Sequence, residues 1–308
     1  INRYCSSGLQ SVSMAAGQIM AGCYDTVIAG GAETISMMKM NMDNFVNERL
    51  AEQSPGIYYP MGMTAEVVAK RYNVSRETQD ELAFESQKRT AAAQEAGLFL
   101  DEIIPMDTKM LLTNKETGES KEVDVTVDKD ECNRPGTTLE GLGGLKPVFD
   151  PENGTVTAGT ASPLTDGASA TLVCDEEYAV SNNLPILARI KSIAINGCPP
   201  ELMGLGPIGA SLKALKRAQL NINDIDIVEL NEAFAVVGIA NTQQMSLDPA
   251  KVNINGGSIA IGHPVGASAA RVVVDCAREL KRQGGGIGIA AACIGVGLGV
   301  AIVVEVKG

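Results

Sequence analysis

In "INRYCSSGLQ", Cys5 stands between a short extended run and the first turn of a helix, the first of four places where residue types and spacing could do chemistry. Free backbone N–H groups and the helix dipole favour thiolate over thiol at such an entrance, so the spacing predicts a nucleophile with a lowered pKa. Cys293 ends an apolar run and enters "IGVGLG", a turn whose glycines let backbone N–H groups crowd around a ligand oxygen as an oxyanion hole. His263 is the chain's one histidine, set between Gly262 and Pro264 just before a helix. The glycine removes bulk and the proline fixes the backbone, which suits a ring that needs one aim. In "ELNEAFA", Asn231 and Glu232 lie between an apolar strand and an apolar helix, where Asn can cap the helix and hold a water. Each also has a plain structural reading: a buried thiol, a filler imidazole, a simple cap. Cys23, Cys132, Cys174, Cys198 and Cys276 sit in or beside ordinary elements and read as small buried hydrophobes.

The elements that must position these residues follow from periodicity. Leu9, Val12, Ala16, Ile19 and Met20 recur at helical spacing from Ser6, with Gly22 as the stop, and Thr26 to Ala29 reads as a buried strand running into Gly30 and Gly31. Ser36 to Gly62 lacks clean periodicity and reads as a loop excursion. Thr64 is expected to cap a helix ending at Tyr72, and Ser75 a longer one closed by Gly97. Short strands, including "KEVDVTV", alternate with Gly and Pro over 101–160, and strands resume at Ala168–Asp175 and in "ILARIKSIAI". The last third alternates regularly: helix Ile208–Gln219, strand Ile225–Leu230, helix from Ala233, strand-like "KVNINGG", helix Ala267–Arg282, then two strands around a Gly-rich turn. Alternation with short loops indicates an α/β layered sheet. The stretch from Cys5 to Glu33 is echoed by that from His263 to Gly295. Each has a polar reactive residue, a small-residue helix, a glycine break and a buried strand, so the two helix entrances are expected side by side.

Composition bounds the class. Over 308 residues, 45% hydrophobic and 20% charged content describe a globular chain, and no apolar run is long enough to read as a membrane span. A net charge of −12 argues against nucleic acid or an anionic membrane surface as partner. Seven cysteines without framework or zinc-ribbon spacing point to a reducing compartment, read here as cytoplasmic. No two of the reactive residues have close ligand spacing, so no metal is expected.

In this order, "CSSGLQ", "NEAFA", "GHPVGASAAR" and "CIGVGLG" resemble the four active-site loops of the thiolases. The resemblance extends along the chain through "MGMTAEVVA", "SRETQDELA", "DEIIP", "TAGTAS", "DGASA" and "MGLGPIGAS". It implies two tandem layered α-β-α-β-α domains, 1–178 and 179–308, with a loop subdomain inserted at about 36–160. It also implies a Claisen-type acyltransferase on 3-ketoacyl-CoA and CoA, in fatty acid β-oxidation. CoA would be a substrate and no cofactor would be resident. Cys5 would accept the acyl group. His263 would take the Cys5 proton and, with a water fixed by Asn231, hold the thioester oxygen. Cys293 would be the second acid/base, and the N–H groups of Cys5 and Gly295 the other oxyanion hole. Arg134 resembles an adenine-stacking arginine, Ala161 and Ser162 match positions along the pantetheine arm, and Met203, Phe234 and Met61 match its tunnel. A dimer or tetramer is the implied assembly.

Departures from the pattern are also informative. Pro60 stands where the short-chain branch typically has a histidine, which points to the broader 3-ketoacyl-CoA branch. Thr160, Ala269, Val296 and Leu298 replace residues common in the family. The strand, helix and strand expected before the nucleophile are not in the numbered chain. A biosynthetic acetoacetyl-CoA thiolase, a condensing ketoacyl synthase and a non-catalytic thiolase-like lipid carrier are the alternatives. One histidine and a second cysteine disfavour the synthase, and four intact loops disfavour the carrier.

Overall fold

Leu9, Val12 and Ala15 lie one helical turn apart, and the computed structural model, which describes residues 1–37 and 46–308, buries all three on helix α1, Ser7–Met20. Met20, expected on that face, is exposed, and the helix ends as expected near Gly22, whose φ of 73° a side chain would oppose. Strand β1 runs Thr26–Glu33, four residues beyond its expected end, because its glycines continue the ladder with β4 rather than break it. It is not the buried strand the sequence suggests. Helices cover one face only, and Ile28 points away, 77% exposed.

Between β1 and β4 come α2 (Glu48–Gln53), α3 (Met61–Arg71), α4 (Arg76–Glu95), the hairpin β2 (Met106–Thr113) and β3 (Ser120–Val127), and α5 (Leu139–Gly143). The part of the expected loop excursion at 38–45 lies outside the described residues. Ser75 caps α4 by accepting from the Thr78 N–H, as expected. Thr64 does not cap α3; it is buried inside it, its hydroxyl donating to the Met61 carbonyl, and the helix starts four residues earlier than such a cap would place it, after Pro60. Proline is pre-organised for a helix start, which outweighs the weaker threonine signal.

Next come β4 (Gly167–Cys174), α6 (Glu176–Ser181), β5 (Arg189–Gly197), α7 (Gly206–Ala218), β6 (Ile227–Leu230), α8 (Ala235–Gln244), α9 (Ser258–Ile261), α10 (Val265–Arg282), β7 (Gly286–Ile294) and β8 (Leu298–Val306). "KVNINGG" forms only an isolated bridge, Val228 to Val252, rather than a strand. Strands β5, β8, β7 and β6 form one sheet in that order, with β6 parallel to β7 and the other pairs antiparallel.

The period-two alternation of that sheet sorts its apolar residues between two layers. Ala290, Ala292, Ile294, Val300, Ile302 and Val304 pack in one core with α10 and α1, while Ile289, Ala291, Ala301 and Val303 pack in another with α7. Both faces are covered, so the strands read as continuous apolar runs. The pair α1 and α10 lies between this sheet and the β1–β4 pair, and Gly8 lets the two helices touch. A Cβ on Gly8 would sit 2.7 Å from the Ala270 nitrogen and 2.8 Å from the Ala270 Cβ. The two helix entrances that carry Cys5 and His263 are therefore held side by side. A third core gathers α3, α4, α5, α8 and the turn at Pro200–Leu205 around Cys293.

Candidate active site

Cys5 lies in a 3₁₀ turn, Tyr4–Ser6, that packs on both α10 and β7. Its sulfur is within hydrogen-bonding reach of its own backbone N–H and that of Gly295. The helix entrance does not make it a thiolate. Burial pushes the thiol up to about 11, and the Glu33 carboxylate adds to that, while the two N–H groups only partly oppose it. Desolvation of the anion outweighs the dipole although the residue is only half-buried, its turn packing on α10 and β7. Two N–H groups converging beside a sulfur also form a pair of donors for an oxyanion on a carbon bound to that sulfur.

His263 is buried at the start of α10, after Gly262, whose φ of 93° turns the chain out of α9. Its Nδ1 lies 2.6 Å from the Ser268 hydroxyl, which itself donates to the Pro264 carbonyl at 2.9 Å. With that proton committed, Ser268 accepts from His263, so Nδ1 carries the imidazole hydrogen and Nε2 presents its lone pair. Nε2 faces the Asn231 Nδ2 at 3.4 Å. The amide is oriented from its other end, since Ser258 donates to Asn231 Oδ1 at 2.7 Å and the Asn231 backbone N–H bonds the Ala291 carbonyl. Burial, and secondarily the Arg271 guanidinium, lowers His263 to about 4, so the ring is a neutral base at neutral pH.

Asn231 does not cap α8; Phe234 holds the cap position without a side-chain bond. Glu232 is buried and accepts from Ser86 at 2.8 Å and Asn253 at 2.7 Å, tying the loop to α4 and to the segment before α9.

Cys293 is fully buried at the end of β7, near enough to Cys5 and Cys198 for each to oppose its ionisation, and burial itself drives the thiol strongly upward. Beyond it, Gly295 turns toward Met61 and Tyr4: a Cβ there would lie 3.5 Å from the Met61 sulfur and 3.8 Å from the Tyr4 ring. Cys5, Cys293, Gly295 and Met61 thus converge, with the His263–Asn231 pair at the adjoining start of α10. Met203, Phe234, Ala161 and Met61 share the core that contains Cys293. Ala161 bridges Phe234, and Ser162 donates to the Ala233 carbonyl. Arg134 is not drawn into this cluster; it is exposed, its backbone N–H held by Gln87. Ser258, Ser268 and Arg271 escape a reading of the sequence, although Ser268 stands just over one helical turn after His263. Among the described residues no group of three His, Cys, Asp or Glu side chains could hold a metal ion.

Two family models match along the chain: the thiolase N-terminal domain over residues 1–177 and the thiolase C-terminal domain over 184–306. The chain belongs to the thiolase family. It is 45% identical over 306 residues to the 3-ketoacyl-CoA thiolase of Bacillus subtilis, covering 94% of this chain and 77% of that one. It is 42% identical to the acetyl-CoA acetyltransferase of Escherichia coli, covering 99% and 78%. Against the peroxisomal 3-ketoacyl-CoA thiolase 2 of Arabidopsis thaliana, 44% identity covers 92% of this chain and 61% of the relative. Of solved structures, the dimeric peroxisomal thiolase of Saccharomyces cerevisiae superposes with a TM-score of 0.90 at 36% identity, covering 100% of this chain and 76% of that one. The human mitochondrial 3-ketoacyl-CoA thiolase in complex with CoA gives 0.86 at 38%, covering 100% and 77%. The α/β layering read from the sequence is thus the thiolase fold.

Proposed function

We propose that this thiolase is an acetyl-CoA C-acyltransferase that cleaves 3-ketoacyl-CoA with CoA, reversibly, through an acyl group carried on Cys5. The observation that carries the reading is the convergence of Cys5 and Cys293 at the Gly295 turn. Cys5 gives its proton to His263 as its sulfur attacks the 3-keto carbon, and the resulting oxyanion takes the Cys5 and Gly295 N–H groups. The bond between C2 and C3 then breaks. The acyl group stays on Cys5, the electron pair becomes the acetyl-CoA enolate, and Cys293 protonates its carbon. Cys293 next takes the thiol proton of incoming CoA, whose sulfur attacks the acyl-Cys5 carbonyl; the Cys5 sulfur leaves with the proton that His263 returns, so acyl-CoA is released and both thiols and the neutral imidazole are restored. Two high-pKa thiols suit this cycle, since the nucleophile is generated at the moment of attack and the acid stays loaded between turnovers.

His263 and the Asn231 side chain flank the place for the thioester oxygen, and Met203, Phe234 and Met61 offer apolar walls for the acyl and pantetheine chains. No resident cofactor takes part, CoA being a substrate. Pro60 at the head of α3 supports 3-ketoacyl substrates longer than acetoacetyl-CoA and the degradative direction. Seven free cysteines support a reducing compartment. Self-association is supported by the β2–β3 hairpin, whose Met106, Met110, Leu112, Val123, Val125 and Val127 line one face of a ribbon too thin to be stable alone.

The test is thiolysis of a chain-length series of 3-ketoacyl-CoA by the protein and by Cys5→Ser. Acetyl-CoA release by the wild type, an acyl adduct on the Cys5 peptide and loss of both in the variant are expected. A protein that binds these thioesters without releasing acetyl-CoA would exclude the reading in favour of a carrier, and activity on acetoacetyl-CoA alone would assign it to the short-chain branch.

A further inference from the structure

The hydrogen-bond chain that ends on His263 begins outside the reacting centre, on Arg271 of α10. Its Nη2 donates to the Ser258 hydroxyl at 3.4 Å and to the Gly262 carbonyl at 3.5 Å, the two groups that flank Asn231 and His263. Its Nε lies 3.5 Å from an Asp275 carboxylate oxygen one turn further along the helix. A guanidinium can only donate and does not lose its charge. An oxygen that receives from Arg271 therefore keeps its own hydrogen for Asn231 Oδ1, at 2.7 Å. That bond turns the Asn231 Nδ2 toward His263 Nε2, at 3.4 Å, and a donor there excludes a proton on Nε2.

We propose that Arg271 is a positioning residue: as the donor-only end of the chain Arg271–Ser258–Asn231–His263, it holds His263 in the Nδ1–H tautomer, with Nε2 unprotonated and accepting from Asn231 Nδ2, a bond that opens when Nε2 takes the proton of Cys5. Its charge acts in the same sense, since a fixed cation beside the imidazole opposes protonation and adds to the effect of burial. The role rests on the thiolase reading only for the identity of the proton donor.

Other charges face the same space. Asp275, Arg278, Glu279 and Arg282 are on α10, Glu102 and Asp130 come from the loop subdomain, and Glu229 comes from β6; the Cys132 thiol also lies there. Burial raises Glu229, Asp130, Asp275 and Glu102, which weakens the negative field at Arg271 and leaves its charge effective.

Because the chain has one histidine, an NMR titration of selectively labelled imidazole nitrogens reads His263 alone, without substrate. The wild type is expected to show the Nδ1–H tautomer and a midpoint well below the ordinary value of about 6.5. Arg271→Gln should raise the midpoint by about one unit, the size of effect of a nearby unit charge, and populate the Nε2–H tautomer. The acid limb of kcat/KM for thiolysis should rise with it. Arg271→Lys should keep both near wild type. An Nε2–H tautomer or an ordinary midpoint in the wild type would overturn the proposal whether or not the variants fold. So would an Arg271→Gln protein that loses activity with tautomer and midpoint unmoved. Failure of thiolysis with the expected titration would instead count against the proposed reaction.

Discussion

At the scale of single residues, the site works through protons whose places are set by hydrogen-bond bookkeeping. Ser268 receives the Nδ1–H of His263 and passes its own hydrogen to Pro264, so it fixes one side of the ring as Asn231 fixes the other. Ser268→Ala leaves a buried imidazole N–H without a partner, a loss of about 1–3 kcal/mol. If that loss falls on the transition state, kcat drops by about ten- to a hundredfold with little change in KM. Steady-state thiolysis kinetics check this, and a change confined to KM would remove Ser268 from the positioning of the base. Cys5, Cys293, His263 and Asn231 stood out as candidates because each sits at the end of an apolar or helical run, where a polar side chain is conspicuous. The protonation state of Cys5 was not legible. Sequence shows the helix entrance that would lower it, whereas the burial against β7 that raises it to about 11 comes from residues nearly three hundred positions away. Ser258 and Arg271 were hidden for the same reason, since their bonds run between segments with no shared pattern.

At the scale of elements, the approach of α1 to α10 decides whether the proposed nucleophile Cys5 and the proposed base His263 meet. Gly8 is the contact, and Gly31 of β1 touches the same helix start, where a Cβ would fall 1.8 Å from the Gly266 carbonyl oxygen. Gly8→Ala forces a methyl against the Ala270 backbone, so the helices must separate, at about 1–3 kcal/mol for overpacking of this kind. Since Cys5 rides on the turn leading into α1, the same separation draws its sulfur away from His263. Calorimetry should show a lowered Tm and thiolysis a reduced kcat; a variant that kept both would show that the helix pair tolerates more space than the contact implies. Helix and strand periods revealed most of these elements. Errors fell where a second signal competed: Pro60 against Thr64 for the start of α3, and the ladder with β4 against the glycines of β1. Which faces would be covered could not be read, because Ile28 is as apolar as Val27 and only the placement of α1 and α10 separates them.

At the scale of the whole molecule, the fold encloses more carboxyl groups than it neutralises, and this sets how stability varies with pH. Burial raises Glu102 to about 7 and Asp275 to about 6, lifts Glu229 well above its ordinary value and raises Asp130 and Glu232, and mutual repulsion adds to the shift of Glu102 and Glu229. A group whose folded pKa is raised favours the native state below its unfolded pKa, about 4, and that contribution is lost as pH rises through the folded value. His263 has the opposite sign. Its contribution is present above the unfolded value of about 6.5 and is lost as pH falls toward about 4, so this one group opposes the carboxyls only at the acid end of the range from about pH 6 to about pH 8. The thiols of Cys5 and Cys198, each pushed up to about 11 by burial, begin to matter only above their unfolded range, about 8.5. Between about pH 6 and about pH 8 the carboxyls therefore dominate, and Tm should fall as pH rises. Glu102 provides the means to attribute the slope. It ion-pairs with Arg278 at 3.6 Å yet keeps one buried oxygen, Oε1, without a partner, and it faces Asp275. Glu102→Gln removes the charge that must be buried at the upper end of the interval, so its Tm should depend less on pH than that of the wild type. Scanning calorimetry of both proteins across the interval checks this, and a wild-type Tm that rose with pH would mean that the buried carboxyls are compensated by cations that the fold does not place beside them.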